Sequence, residues 1–138
     1  MLISIRAAIA AIIQEARPDM NAYGTVPGVP QVPAVVVAPA ANPTAVFDVA
    51  MGVTAGRWFL DIYVLMPYTE QDSGQTALDA LLDPLEPDSV VSALRTNYTL
   101  NGTATDSNVT GIKNYGGTFE SASIQHIGAV ITLEVLPC

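Results

Sequence analysis

The stretch Arg57 to Met66 constrains this chain more than any other. Trp58, Leu60, Ile62, Val64 and Met66 alternate with Arg57, Phe59, Asp61, Tyr63 and Leu65, the period of a β-strand. Both sets are substantially apolar. A strand apolar on both sides belongs in the middle of a sheet whose two faces are covered, by helices or by another subunit. Thr44 to Met51 shows the same period, with Val46, Asp48 and Ala50 against Ala45, Phe47, Val49 and Met51. The Gly52–Gly56 turn region between the two segments suits an antiparallel hairpin.

The remaining elements follow from periodicity and from proline. Leu2, Ile5, Ile9, Ile12 and Ile13 recur at three- and four-residue spacing, which predicts a helix over 2–16 that stops near Arg17 because Pro18 follows. Its few polar positions mean burial on most sides or packing against a neighbouring subunit. Residues 24–43 read as a proline-rich arm or loop. Within them only Ala34 to Ala38 can be a strand, since Pro27, Pro30, Pro33, Pro39 and Pro43 each remove a backbone donor. Asp72 with Gln75 three residues on forms a capping-box pattern ahead of the apolar stripe Ala77, Leu78, Leu81, Leu82 and Leu85. A second short helix starts at Asp88 or Ser89 and carries Val90, Val91 and Leu94. The Thr/Asn/Gly-rich residues 96–119 read as a polar loop, and His126 to Leu136 alternates as a final strand. The expected fold is a single α+β domain over 1–138. It has a mainly antiparallel sheet of about four strands, with an N-terminal helix and two central helices packed on it.

Composition narrows the function classes. Only 13% of the 138 residues are charged, about half of the usual ~25%, while half are hydrophobic. So little charge on a small chain points to surface reserved for other subunits. The five Lys and Arg residues cannot neutralise a phosphate track, and the single Cys138 rules out a disulfide scaffold. No cation precedes Arg6, and the apolar run Ala7 to Ile13 is seven residues long. These features point away from a signal peptide, and no stretch approaches the ~18 apolar residues of a membrane span. The expectation is a soluble, cytosolically made protein. The net charge of −8 is uneven: residues 1–69 hold four acids and three bases, and residues 70–138 hold nine acids and two bases.

The chain offers little catalytic chemistry. Its one histidine, His126, opens the last strand, and its one thiol, Cys138, is the last residue; the simplest roles are structural. Asp79 and Asp83 stand four apart on one helix face. With no basic residue from Glu70 to Asp88, they read as part of a solvated acidic surface with Glu70, Asp72, Glu86 and Asp88. Gly111, Gly116 and Gly117 match neither phosphate-binding spacing. The sequon strings at Asn97, Asn101 and Asn108 suit a Thr/Asn-rich loop. No cofactor, metal or catalytic residue is expected.

One resemblance draws these segments together. Trp58-Phe59-Leu60-Asp61-Ile62-Tyr63-Val64 is followed by Ala77-Leu78-Asp79-Ala80-Leu81-Leu82 and Asp88-Ser89-Val90-Val91-Ser92-Ala93-Leu94. Tyr115-Gly116 and the strand Ile127-Gly128-Ala129-Val130-Ile131-Thr132-Leu133-Glu134-Val135 complete the series. This ordered set resembles the tail terminator (tail-completion, head–tail joining) proteins of long-tailed bacteriophages, over about residues 34–136. The resemblance implies a structural virion protein at the tail–neck junction: a subunit of a hexameric ring that caps the tail tube, stops its polymerisation and meets the head-side connector. DNA would pass through without specific binding, with the carboxylates of Glu70, Asp72, Asp79, Asp83, Glu86 and Asp88 as candidates for facing that channel. Candidate subunit-interface residues are Ile5 and Ile9 on the helix, Val26, Pro27, Val29, Pro30 and Val32 on the arm, and Tyr115. The competing readings are another neck protein (head-completion or stopper), a soluble ligand-binding domain with Trp58, Tyr63 and Tyr68 around a pocket, and a hydrolase using His126 or an acidic pair.

Overall fold

The computed structural model of the chain describes residues 2–25, 31, 33–40, 45–47, 56–67, 71–121 and 124–137. Helix α1 spans Leu2–Ala16, as the isoleucine spacing requires. Ile5, Ile9, Ile12 and Ile13 are buried, whereas Ile3, Ala7, Ala11 and Gln14 face outward. The Gln14 amide bridges the chain leaving the helix: its Nε2 donates to the Met20 carbonyl at 2.7 Å, and its Oε1 accepts from the Ala22 N–H at 3.2 Å. That bridge leads into strand β1, Asn21–Tyr23.

β1 pairs in parallel with β2, Ala34–Pro39. β2 and the short β3, Ala45–Phe47, both lie antiparallel to β4, Gly56–Pro67. Two helices follow, α2 at Gln71–Leu82 and α3 at Val90–Thr96. The chain ends in a long antiparallel pair, β5 at Ala104–Ser121 and β6 at Ile124–Pro137. β6 also pairs with β4, so the strand order is β1-β2-β4-β6-β5 with β3 beside β4. The fold is α+β with a mixed sheet, antiparallel except for the first pair.

Sheet parity places the core. Val35 and Val37 of β2, Leu60, Ile62 and Val64 of β4, and Ala129, Ile131, Leu133 and Val135 of β6 cluster with the buried residues of all three helices. α1 lies over β1 and β2, α2 over β4 and β6, and α3 between α1 and β5. β4 is central, as its two-sided apolar pattern predicts, but the described helices all lie on one face. The opposite face holds buried Val36, Leu65 and Val130 and two ion pairs. Arg57 Nη1 sits 3.1 Å from Glu134 Oε1. Lys113 Nζ on β5 reaches across β6 to Asp61 Oδ2 on β4 at 3.3 Å. Asp61 is one of two buried polar residues among those described. A lysine stem passing over the sheet supplies that carboxylate with a charge-assisted donor, which a buried charge requires.

Residues 96–119 do not form a polar loop. Thr96 ends α3, residues 97–103 form a hydrogen-bonded turn, and the rest is strand β5. In the turn the Asn97 Oδ1 accepts from the Asn101 N–H at 3.0 Å, and Thr103 Oγ1 donates to the Leu100 carbonyl at 2.7 Å. Leu100, Asn101 and Gly102 all take positive φ, and Leu100 is fully buried, so a core contact holds a leucine in a conformation it rarely adopts. The β5 register breaks three times, at 104/106, 109/111 and 113/117. Such bulges erase the period-two signal. α2 begins two residues earlier than its capping-box pattern suggests, which puts Asp72 in the first turn and not at the cap. The proline-rich segment supplies β2 as read; of the 26–30 arm and Val32, nothing falls within the described residues.

Ser89 is the N-cap of α3, its hydroxyl accepting from the Ser92 N–H at 3.0 Å. Because Ser89 is fully buried, water cannot replace that bond. We expect Ser89→Ala to cost about 1 kcal/mol, read as a lower urea midpoint at unchanged slope.

Candidate functional site

The candidate interface residues divide into three groups. Ile5 and Ile9 are 1% and 0% exposed and pack on the chain's own sheet and α3. They are core residues, not subunit contacts. The isoleucine stripe needed a covering surface, and β1, β2 and α3 provide it. Val26, Pro27, Val29, Pro30 and Val32 lie outside the described residues. Tyr115 is exposed, on the stretch of β5 where the register breaks between Lys113 and Gly117 and Asn114 and Gly116 take positive φ. The backbone there turns its side chains away from the ladder, and Ile112 beside it is also exposed.

The acidic candidates form a surface. Asp79 on α2 is exposed, Asp83 just past its end is half-buried, and Glu86 and Asp88 in the connection to α3 are exposed. Asp72 lies in the first turn of α2, and Glu70 falls outside the described residues. Asp79, Asp83, Glu86 and Asp88 form no ion pair with a described residue. Asp83 Oδ1 instead accepts from the Leu85 N–H at 2.9 Å, which shapes the turn. The surface lies on the helix side of the sheet, away from the Arg57–Glu134 and Lys113–Asp61 pairs.

The chemistry-bearing alternatives are not brought together. Trp58 packs against the helix-side core, whereas Tyr63, five residues on in the same strand, faces the opposite side. Those two cannot wall one pocket, and Tyr68 is outside the described residues. His126 lies on β6 opposite Pro67 of β4 and Phe119 of β5. Cys138 is outside the described residues. Among the described residues, no three of His, Cys, Asp and Glu group as metal ligands, and no helix is long and apolar enough to cross a membrane. A shallow polar recess lined by Arg57, Asp106, Ser107, Asn108, Glu134 and Leu136 sits at one end of the sheet. Its one guanidinium is already taken by Glu134.

Sequence reasoning missed two surface features. Leu85, read as part of an apolar helical stripe that Pro84 and Pro87 interrupt, is 89% exposed because α2 ends at Leu82. Pro84 and Pro87 were the available signal: a helix halted by Pro84 cannot carry Leu85 onto its apolar side. Ile3 is likewise 73% exposed on the outer side of α1, off the stripe formed by Ile5, Ile9, Ile12 and Ile13. No family model matches this chain, and no curated protein matches it.

Proposed function

We propose that this chain is a structural subunit that self-associates into a ring, and that the ring acts as a phage tail terminator does, capping a tail tube and joining it to a head-side connector. The ordered set of segments from Trp58 to Val135 carries the reading. The physical features in its favour are a 13% charged composition and large apolar side chains left on the surface at Ile3, Leu85, Ile112 and Tyr115. Among the described residues the acids Asp79, Asp83, Glu86 and Asp88 form no ion pair, and a surface with this excess of carboxylates would repel DNA passing nearby. A ring that DNA traverses needs no catalytic group and no affinity for phosphate.

Mass photometry at micromolar concentration, alone and with tail-tube protein, is expected to show particles of roughly six subunits, and the tubes are expected to stop growing when the protein is added. A strict monomer that leaves tube length unchanged overturns the reading. Copurification with filled heads in place of tail tubes would reassign the protein to another neck position.

A further inference from the structure

We propose that Asn101 is a site of spontaneous self-modification. The Gly102 backbone nitrogen closes on the Asn101 side-chain amide, expels ammonia and leaves an aspartyl or isoaspartyl residue. Of the asparagines in the chain only Asn101 precedes a glycine. Asn21, Asn97, Asn108 and Asn114 precede Ala22, Tyr98, Val109 and Tyr115, whose side chains shield the nitrogen that would attack. Asn42 precedes Pro43, which has no N–H. At Gly102 the shield is absent and the space beside it is open: a Cβ there would meet nothing within 4 Å. Asn101 and Gly102 are both exposed, so water reaches the site.

The turn favours closure at both reacting atoms. Asn97 Nδ2 donates to Asn101 Oδ1 at 2.7 Å. A donor on that oxygen draws electrons from the amide carbon and supports the negative charge the oxygen gains under attack. The Gly102 N–H donates to the Thr99 carbonyl at 3.0 Å and must leave it to react. That carbonyl keeps the Ala104 N–H, also at 3.0 Å, so the release strands no acceptor. The Gly102 nitrogen then gives up its proton and bonds to Asn101 Cγ, the Cγ–Nδ2 bond breaks, and the amide leaves as ammonia with that proton. Water opens the ring and returns a proton to the Gly102 nitrogen. Addition at Cγ gives aspartate in an unaltered backbone. Addition at the Asn101 main-chain carbonyl routes the chain through Cβ and Cγ, giving the longer isoaspartyl backbone. The two products differ in this turn. Aspartate keeps the oxygen that Asn97 holds. Isoaspartate finds no slack, because Leu100 before it is 0% exposed and Ala104 after it 2%, both fixed in the core. The modification makes the formal charge of −8 more negative, and it stands or falls independently of the ring reading.

The test incubates the intact protein at mildly alkaline pH and follows each asparagine-containing peptide by mass spectrometry. Asn101 is expected to exchange its NH2 for OH about tenfold faster or more than Asn21, Asn97, Asn108 or Asn114, a barrier lower by about 1.4 kcal/mol or more. The isoaspartyl form, separated by chromatography, is expected to unfold at a lower urea midpoint than the wild type, and Asn101→Asp at the wild-type midpoint. If Asn101 keeps its amide in the folded protein and loses it only in urea, the turn protects the site and the proposal is overturned. Equal rates at Asn108 or Asn114 overturn the part given to Gly102. Matching midpoints for the isoaspartyl form and Asn101→Asp overturn the part given to the buried ends of the turn.

Discussion

Gly128→Ala is expected to be among the most damaging single substitutions in this protein, costing about 3 kcal/mol or more. Gly128 lies on β6 opposite Leu65 of β4, in the centre of the sheet. A Cβ there would fall onto the Val64 carbonyl oxygen, with the Val64 carbonyl carbon at 3.1 Å and the Leu65 Cα at 3.4 Å. These are backbone atoms of the central strand, which cannot rotate aside as a side chain can. Relief requires β4 and β6 to part, and Ile62, Val64, Ala129 and Ile131 would then lose their packing together. The check is a urea titration against wild type, with Gly111→Ala as the control. At Gly111 the added methyl meets only Thr132 Oγ1, at an ordinary 3.7 Å, so that variant is expected to change stability by less than about 1 kcal/mol. Equal effects at the two positions would contradict the close approach of β6 to β4.

Ile9→Ala is expected to cost about 2–5 kcal/mol, the usual range for emptying a fully buried site. Ile9 is 0% exposed on the face of α1 that covers the sheet. The loss is expected to be the same at low and high protein concentration, because the contacts removed lie within one chain. A residue buried only between subunits behaves differently, its apparent stability following concentration by mass action. Ile3→Ala, on the outer side of the same helix, is expected to leave the unfolding midpoint of the isolated chain within about 0.5 kcal/mol. Thermal unfolding of both variants over a range of concentrations separates the core side of α1 from its outward side.

The elements legible in the sequence are those with a local physical signature. β4 was readable because both parities of Arg57 to Met66 are apolar, and the structure puts it third of the five strands in the path. α1 was readable from isoleucine spacing and Pro18, and α3 from a start at Asp88 or Ser89, of which the structure makes Ser89 the cap. β6 was readable from clean alternation. β5 was not: an edge strand needs only one apolar side, and its Thr, Asn and Gly residues together with three register breaks remove the pattern. β1 is three residues long and is defined by parallel pairing with β2, a contact that no short-range signal encodes.

Composition is the ground for proposing that this chain keeps surface for other subunits, and the acidic character of residues 70–88 is a property of the residue list. Which apolar residues remain outside is a different matter. Ile5 and Ile9 looked available for a neighbour because a one-sided helix must be covered by something, and a sequence does not say by what. Leu85 continued an apolar helical stripe in spacing, and the end of α2 at Leu82 turned it outward.

The sequence by itself therefore determined the fold class, the central strand, the stop of α1, the start of α3 and the shortage of charge. Each of these depends on residues within a few positions of one another or on simple totals. Only the tertiary structure decided which side of each apolar stripe meets its own sheet, that the Thr/Asn-rich stretch is an edge strand, and that Ile3 and Leu85 stay in solvent. Those outcomes depend on pairings between residues far apart in the chain. Burial is a property of the assembled layers, and no local pattern contains it.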